Sequence, residues 1–411
     1  MQLNKKLTGN ILSLFTLKGA EYVVSFVTLP YLLRVLGPEH YGMIVFAQTI
    51  MNYGNLLVNY GFHLTAPRDI AKANPADVPR DFSSILVARM VLFLLATMLG
   101  GIGIYIFSEQ LNPFLIACVF PSLLGSAIFP VWYFQGIQKM RFITIFNLIA
   151  RGISVACIFA LVREQTDFCL AAFLQSIVPL IAGVISLGML LRSSRSLFVV
   201  PGRDMVLAKL RSGWDIFLST VFINFYTNSN IFILRILTDD ACVGYYAAAN
   251  RLIEAVKGLL MPISSAIFPH VAVLVKESRE RAVGFLCKTT RMIGGMSFLL
   301  SMGVFFFAEP IVHLIMGDSY GESIRILRII SFLPFIIGLS NIFGIQTMVA
   351  FGMQKLFSRI LMASALLNFV LIFPLVCLWQ ATGLAVNVVI VECFVTVTMY
   401  VMLRKHGIIL R

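Results

Sequence analysis

Residues 90–107 read MVLFLLATMLGGIGIYIF, a run of 18 side chains without a charge. As a helix, such a run is nearly long enough to cross a hydrocarbon core about 30 Å thick, and its neighbours extend it. In lipid every backbone N–H and C=O must be paired inside the segment, so the run reads as a transmembrane helix. Runs like it recur from end to end of the 411-residue chain. They predict spans at roughly 11–35, 41–62, 84–107, 113–134, 142–162, 168–191, 213–237, 242–268, 285–308, 324–350, 357–378 and 382–403. The short alternating strands of a barrel are not visible. Hydrophobic residues make up 59% and charged residues 12%, with a mean hydropathy of +0.91. A soluble domain has about 45–50% and about 25%. The expectation is an all-α integral membrane protein with about 12 transmembrane helices.

The net charge is +13, which on a soluble chain would suggest nucleic acid. Its placement says otherwise. With the N-terminus in the cytoplasm, the inner segments hold Lys5, Lys6, Arg68, Lys72, Arg80, Lys139, Arg141, Arg192, Arg195, Arg203, Lys209 and Arg211. They continue with Lys276, Arg279, Arg281, Lys355, Arg359, Arg404, Lys405 and Arg411. The outer ends hold only Arg34, Arg163, Arg235, Arg325 and Arg328, among acids such as Glu39, Glu109, Glu164, Asp167, Asp239 and Asp240. This is the positive-inside pattern of an even span count with both termini inside. The opening Met-Gln-Leu-Asn-Lys-Lys lacks a small-residue cleavage site and leads into a retained first span.

An internal repeat organises the rest. Leu33-Arg34-Val35-Leu36, an acid, Gly42 and Ala47-Gln48 recur as Leu234-Arg235-Ile236-Leu237, two acids, Gly244 and Ala249-Asn250. Pro67-Arg68-Asp69-Ile70-Ala71 recurs as Pro269-His270-Val271-Ala272, and the stretch Gly136 to Phe142 as Gly352 to Phe357. An offset that spans six helices keeps both halves in one orientation, a parallel repeat of two six-helix bundles over 1–200 and 201–411.

Parallel repeats place a substrate site between the halves, so polar stripes at helical spacing matter. Gln48, Asn52, Asn55 and Asn59 share one face of the second span. Their counterparts in the eighth are Asn250, Glu254, Lys257 and Met261. The first span carries Lys18, Glu21, Ser25 and Thr28, and the seventh Asn224, Thr227 and Asn228. Such side chains either join helix to helix or line a hydrated cavity. Four amides on one face, and charge at the repeat-related positions, favour the cavity. A charge at mid-bilayer costs roughly 2.5–3.5 kcal/mol on insertion scales, which singles out Arg151 and Glu392. Arg251, three residues before Glu254, is expected to pair with it. Arg89, Lys288 and Arg291 are close enough to inner ends to snorkel. Asp215 is expected at a helix start, where a carboxylate suits the macrodipole.

No enzyme constellation appears. The five histidines are dispersed, and the seven cysteines (118, 157, 169, 242, 287, 377 and 393) include no CxxC or Cys/His cluster. That argues against a metal site and a disulfide framework. Gly100, Gly101, Gly103, Gly294 and Gly295 fall inside spans, where packing or flexing of helices explains them better than phosphate binding.

Residues 29–42, LPYLLRVLGPEHYG, resemble the N-terminal signature of the polysaccharide-transporter family, in its bacterial O-antigen flippase branch. The resemblance continues through 60–71 (YGFHLTAPRDIA) and, more loosely shared with multidrug-extrusion and peptidoglycan-precursor relatives, through 134–139 and 243–252. It implies two bundles forming a V-shaped cleft lined by the first, second, seventh and eighth helices. The implied activity is movement of an undecaprenyl-diphosphate-linked repeat unit from the cytoplasmic to the periplasmic leaflet of the inner membrane, by alternating access. Lys18, Arg151 and Lys257 are then expected to meet the diphosphate, and Glu21, Glu254 and Glu392 to couple transport to H+ or Na+. Besides substrate and membrane lipids, the implied partners are a polysaccharide polymerase and a chain-length regulator. No cofactor is expected. Three alternatives stand beside this: a multidrug-type exporter, a repeat-unit polymerase or ligase, and a membrane scaffold. The enzymes would need a large outer loop, and the scaffold leaves buried charge on repeat-related faces unexplained.

Overall fold

The structure is a computed structural model. It describes residues 2–106 and 112–408, with side chains at 27–106, 112–218, 220–221, 224, 229–258, 267–268 and 270–408. Among the described residues every regular element is helical. Seven stretches there are long and apolar enough to cross a membrane: Val78–Ile106, Pro113–Gly136, Met140–Leu161, Gln165–Ser193, Arg279–Phe306, Asp318–Val349 and Gln354–Lys405. The protein is an all-α, multi-pass membrane protein. Lys18, Glu21, Ser25, Thr227, Asn228 and Met261 lie outside the residues with described side chains.

The chain folds into two compact units, one of residues up to 36 and 43–228, the other of 37–42 and 229 onward. The first unit begins on α1 (Gln2–Asn59), which breaks at Gly37, where φ is 71°. Only a residue without Cβ adopts that conformation at low cost, and Pro38 follows it. Tyr60 and Gly61, also at positive φ, turn the chain into α2 (Phe62–Lys72). Then come α3 (Val78–Ile106), α4 (Pro113–Val119), α5 (Pro121–Ile128), α6 (Val131–Gly136), α7 (Met140–Leu161), α8 (Phe168–Ser176), α9 (Val178–Ser193) and the start of α10 (Arg203–Leu237). Prolines open α4, α5 and α9, where a missing N–H costs nothing. A Cβ on Gly125 would lie 2.2 Å from the Leu180 amide nitrogen, so glycine lets α5 and α9 touch through their backbones. Among the described residues two apolar clusters fill the unit, one around Phe82, Trp132 and Phe134, the other around Leu36, Ile44 and Val119.

The expected boundary at 200/201 falls in the loop before α10, whereas the units divide within that helix. Packing explains this. Phe217 on α10 stacks on Tyr60 at 4.5 Å between ring centroids. Lys209 bridges Asp69 on α2 (3.0 Å) and Asp81 on α3 (2.8 Å). Burial works against the Lys209 charge, but the Asp81 and Asp69 carboxylates outweigh it and hold the ammonium above its usual range. Lys209→Ala leaves two carboxylates facing each other. Its expected cost lies between the roughly 1 kcal/mol of an exposed pair and the roughly 3–5 kcal/mol of a buried one. Thermal unfolding in detergent checks this, and Asp69→Asn in the same chain should recover part of the loss. The Lys209 contribution is present below the free lysine value and fades as pH rises through the higher folded value.

The second unit holds α11 (Asp240–Glu277), α12 (Arg279–Phe306), α13 (Ala308–Ile315), α14 (Gly321–Ile330), α15 (Leu333–Asn341), a π-helical stretch at Ile342–Val349, and α16 (Gln354–Lys405). The last breaks at Gln380, where φ is 48°. Residues 37–42 pack inside this unit. A Cβ on Gly42 would lie 1.8 Å from the Asp240 carbonyl oxygen, and one on Gly244 would lie 1.9 Å from that of Pro38. These are repeat-related positions contacting each other reciprocally. Arg235 holds the Asp240 carboxylate through Nε (2.5 Å) and Nη2 (2.9 Å), and Asp239 caps α11 at the Cys242 amide. Tyr41, buried, bonds Arg251.

Helix packing through Gly100, Gly101, Gly103 and Gly295 does not occur among the described residues: a Cβ there would meet nothing within 4 Å. A Cβ on Gly294 would meet only the Leu339 side chain, at 3.3 Å. Asp215 is not at a helix start either, because α10 begins at Arg203 and has Asp204 in its first turn.

Candidate functional site

In the first unit the amide stripe lies on the part of α1 after Gly37, and its four residues meet different surroundings. Gln48 Nε2 approaches Gln175 Oε1 on α8 at 3.5 Å. Asn52 is exposed. Asn55 accepts a hydrogen bond from the Ser126 hydroxyl on α5. Asn59 Oδ1 accepts one from Arg89 Nη2 on α3 at 3.0 Å, and the same nitrogen donates to the Ser126 carbonyl. Arg89 does not snorkel: it is 4% exposed. An amide oxygen of Asn59 and the carbonyl of Ser126, from neighbouring helices, supply acceptors that hold the charge inside. The lower stripe is therefore built around a buried guanidinium, and Asn52 is the amide left open.

Arg151 is half-buried on α7, one turn before Ser154, whose hydroxyl donates to the Leu174 carbonyl at 2.6 Å. Asn224 is half-buried and turns its amide onto its own helix, donating to the Thr220 carbonyl at 2.9 Å.

In the second unit α11 presents Asn250, half-buried, and then Glu254 and Lys257. The expected Arg251–Glu254 pair does not form among the described residues. Arg251 bonds Tyr41, and Glu254 Oε1 takes Lys257 Nζ at 2.5 Å. The pair is partly open, with side-chain exposures of 23% for Lys257 and 50% for Glu254. Glu392 on α16 is half-buried and feels the Lys257 charge. One ammonium thus sits among two carboxylates from two helices. The arrangement lowers the cost of holding charge at this depth and leaves the cation exchangeable.

A polar chain that forms no stripe in the sequence runs through the same unit. Asn368 Nδ2 donates to Asn230 Oδ1 at 3.1 Å, and Asn387 Nδ2 donates to Asn368 Oδ1 at 2.7 Å. Asn387 is fully buried. Asn368 and Asn387 stand in largely apolar runs and Asn230 closes the polar stretch 224–230, so spacing along any one helix does not link the three. Only the meeting of α10 with the first half of α16, and of that half with the second, makes them a group.

The comparisons with known proteins agree with this frame. A family model described as "Polysaccharide biosynthesis protein" matches residues 7–275. A protein of Escherichia coli (strain K12) named "Putative O-antigen transporter" is 33% identical over the whole of both chains. One of the same name from Shigella dysenteriae is 29% identical, covering 95% of this chain and 98% of its own. Among solved structures, a "Lipid II flippase MurJ, inward closed conformation" aligns with TM-score 0.73 at 13% identity, over 96% of this chain and 87% of its own. An inward-facing multidrug resistance transporter of the MATE family aligns with TM-score 0.69 at 12% identity, over 93% and 94%. The fold is shared with both.

Proposed function

The chain belongs to the family of polysaccharide biosynthesis proteins, and on that premise we propose that it is a flippase for lipid-linked O-antigen or related polysaccharide repeat units. The full-length relation to proteins named as O-antigen transporters carries this reading. The cargo is an undecaprenyl-diphosphate-linked oligosaccharide, moved from the cytoplasmic to the periplasmic leaflet of the inner membrane by alternating access. Both termini are cytoplasmic. A polymerase and a chain-length regulator receive the product.

The chemistry of these residues suits that cargo. A diphosphate and several sugars must pass hydrocarbon while the prenyl tail stays in lipid, so the protein must offer a cation and amide hydrogen bonds. Lys257 is the exchangeable cation: diphosphate oxygens displace Glu254, which is left to take up a proton or sodium ion. Glu392, beside the same lysine, senses the exchange. Arg151, the open Asn52 and the half-buried Asn250 serve the diphosphate and sugars.

The test is complementation of a flippase-deleted strain, read on the ladder of surface polysaccharide. Lys257→Ala and Arg151→Ala are expected to reduce long-chain polysaccharide about ten-fold or more at unchanged protein abundance, the effect of losing roughly 1.4 kcal/mol or more of binding to a charged group. Wild-type ladders in both variants would remove the diphosphate assignment. Glu254→Gln and Glu392→Gln are expected to alter the dependence of transport on the proton or sodium gradient. Because the fold is shared with multidrug transporters, drug sensitivity is scored in the same strains. A change there with an intact polysaccharide ladder would replace the flippase reading by an exporter.

A further inference from the structure

Arg89 carries a positive charge that its surroundings in the first unit do not balance. It is 4% exposed. Its Nη2 meets only neutral acceptors, Asn59 Oδ1 at 3.0 Å and the Ser126 carbonyl. Its Nε is buried too and meets no acceptor among the described residues. The one acid on α2, Asp69, and the one on α3, Asp81, are both held by Lys209. Buried charges are normally paired with an opposite charge. Here neutral dipoles ease the burial and leave the charge uncancelled. Those dipoles have a direction. A guanidinium has only N–H donors, so Asn59 turns its amide oxygen to Arg89 and its NH2 group away. Asn55, one turn earlier on α1, gives its oxygen to the Ser126 hydroxyl. Both asparagines are half-buried, and neither amide nitrogen donates to a described residue. This face of α1 therefore offers N–H donors with a buried cation behind them, a combination that suits an oxyanion.

The depth of this face narrows the choice of anion. Asn59 stands three positions before the end of the span expected at 41–62, and Arg68, Lys72 and Arg80 in the segment that follows mark that side as cytoplasmic. At the edge of a leaflet the abundant oxyanions are lipid phosphates. We propose that Asn55 and Asn59 bind the phosphate of a lipid in the cytoplasmic leaflet, with Arg89 as the positioning residue that orients the amides and supplies the balancing charge. The phosphate belongs either to the lipid-linked cargo at loading or to a phospholipid headgroup. The first source rests on the flippase reading and deepens it. Cargo entering from the cytoplasm then meets this site before Lys257, which lies near the middle of its own span.

Asn59→Asp separates binding from folding. It keeps an oxygen for Arg89, gives the guanidinium its missing counter-charge and removes the outward donors. The purified full chain is unfolded thermally in detergent with rising undecaprenyl diphosphate or phosphatidylglycerol. Lipid is expected to raise the unfolding temperature of the wild type. Asn59→Asp is expected to unfold no earlier than the wild type without lipid, and to need about ten-fold more lipid for the same rise, the equivalent of about 1.4 kcal/mol. Asn55→Asp, whose partner is the Ser126 hydroxyl, is read beside it and should lose the response likewise. No rise with either lipid, or an equal rise in the wild type and both variants, overturns the proposal. A stronger response to undecaprenyl diphosphate identifies the cargo as the source, and an equal or stronger one to phosphatidylglycerol identifies the headgroup. The polysaccharide ladder in a flippase-deleted strain keeps the two readings apart. If the wild-type chain restores the ladder and both variants respond to lipid as it does, this proposal alone fails. If the wild-type chain restores no ladder, the flippase reading fails, and the lipid response still decides the phosphate site.

Discussion

Arg89→Met is expected to unfold the first unit several degrees below the wild type and to abolish polysaccharide export. The guanidinium is almost fully buried and serves Asn59 Oδ1 and the Ser126 carbonyl, while the Ser126 hydroxyl serves Asn55. Methionine fills much of the volume but donates nothing. Each acceptor left buried and unpaired costs about 1–3 kcal/mol. Against this, the variant sheds a charge whose desolvation itself costs several kcal/mol, and such exchanges are near neutral when the partners are replaced too. Here the partners stay, so the unpaired acceptors decide the sign. A variant combining Arg89→Met with Asn55→Leu and Asn59→Leu should regain most of the lost stability. If these amides only join helices, that triple variant exports normally. If they also contact the sugars, it is stable and inactive. Thermal unfolding in detergent and the polysaccharide ladder read the two outcomes, and an Arg89→Met chain that unfolds at the wild-type temperature would sink the network argument.

Gly42→Ala and Gly244→Ala are each expected to be at least as damaging. The added Cβ would lie 1.8 and 1.9 Å from backbone carbonyl oxygens of Asp240 and Pro38. A flexible side chain could swing aside, but a backbone carbonyl moves only with its helix. Overpacking of this kind costs roughly 1–3 kcal/mol and more where nothing yields. The result to look for is loss of export with a lowered unfolding temperature in both variants. Gly101→Ala is the control: among the described residues nothing lies within 4 Å of its Cβ, and alanine in a helix interior gains roughly 0.8–1.0 kcal/mol over glycine. If Gly42→Ala behaves like Gly101→Ala, the close approach between 38–42 and 240–244 is not needed.

The contrast between these glycines shows where reading a sequence stops. Gly100, Gly101 and Gly103 carry the small-residue pattern that suggests helix packing, yet α3 meets nothing there among the described residues. Gly42 and Gly244 carry no packing pattern beyond their place in the repeat, and they make the tight contact. The stripe on α1 was legible as a face because helical spacing is local. That Asn55 and Asn59 gather around Arg89, and Asn52 does not, depended on α3 and α5. Arg251 and Lys257 stand equally far from Glu254 in sequence, and spacing cannot choose between them. Tyr41 drew Arg251 away.

The sequence alone was sufficient for the class: helices, many of them membrane-spanning, with a charge pattern and family signature that point to glycan transport. Helical hydrogen bonds close within four residues, and lipid allows a spanning chain no other open form, so each apolar run determines its own structure. Partner choice was left to the tertiary structure. Lys257 with Glu254, Arg89 with Asn59, the three-asparagine chain on α10 and α16, and the passage of residues 37–42 into the second unit all depend on which helices touch. Most of these contacts join residues far apart in the chain, and a buried polar group takes whichever acceptor packing brings within reach.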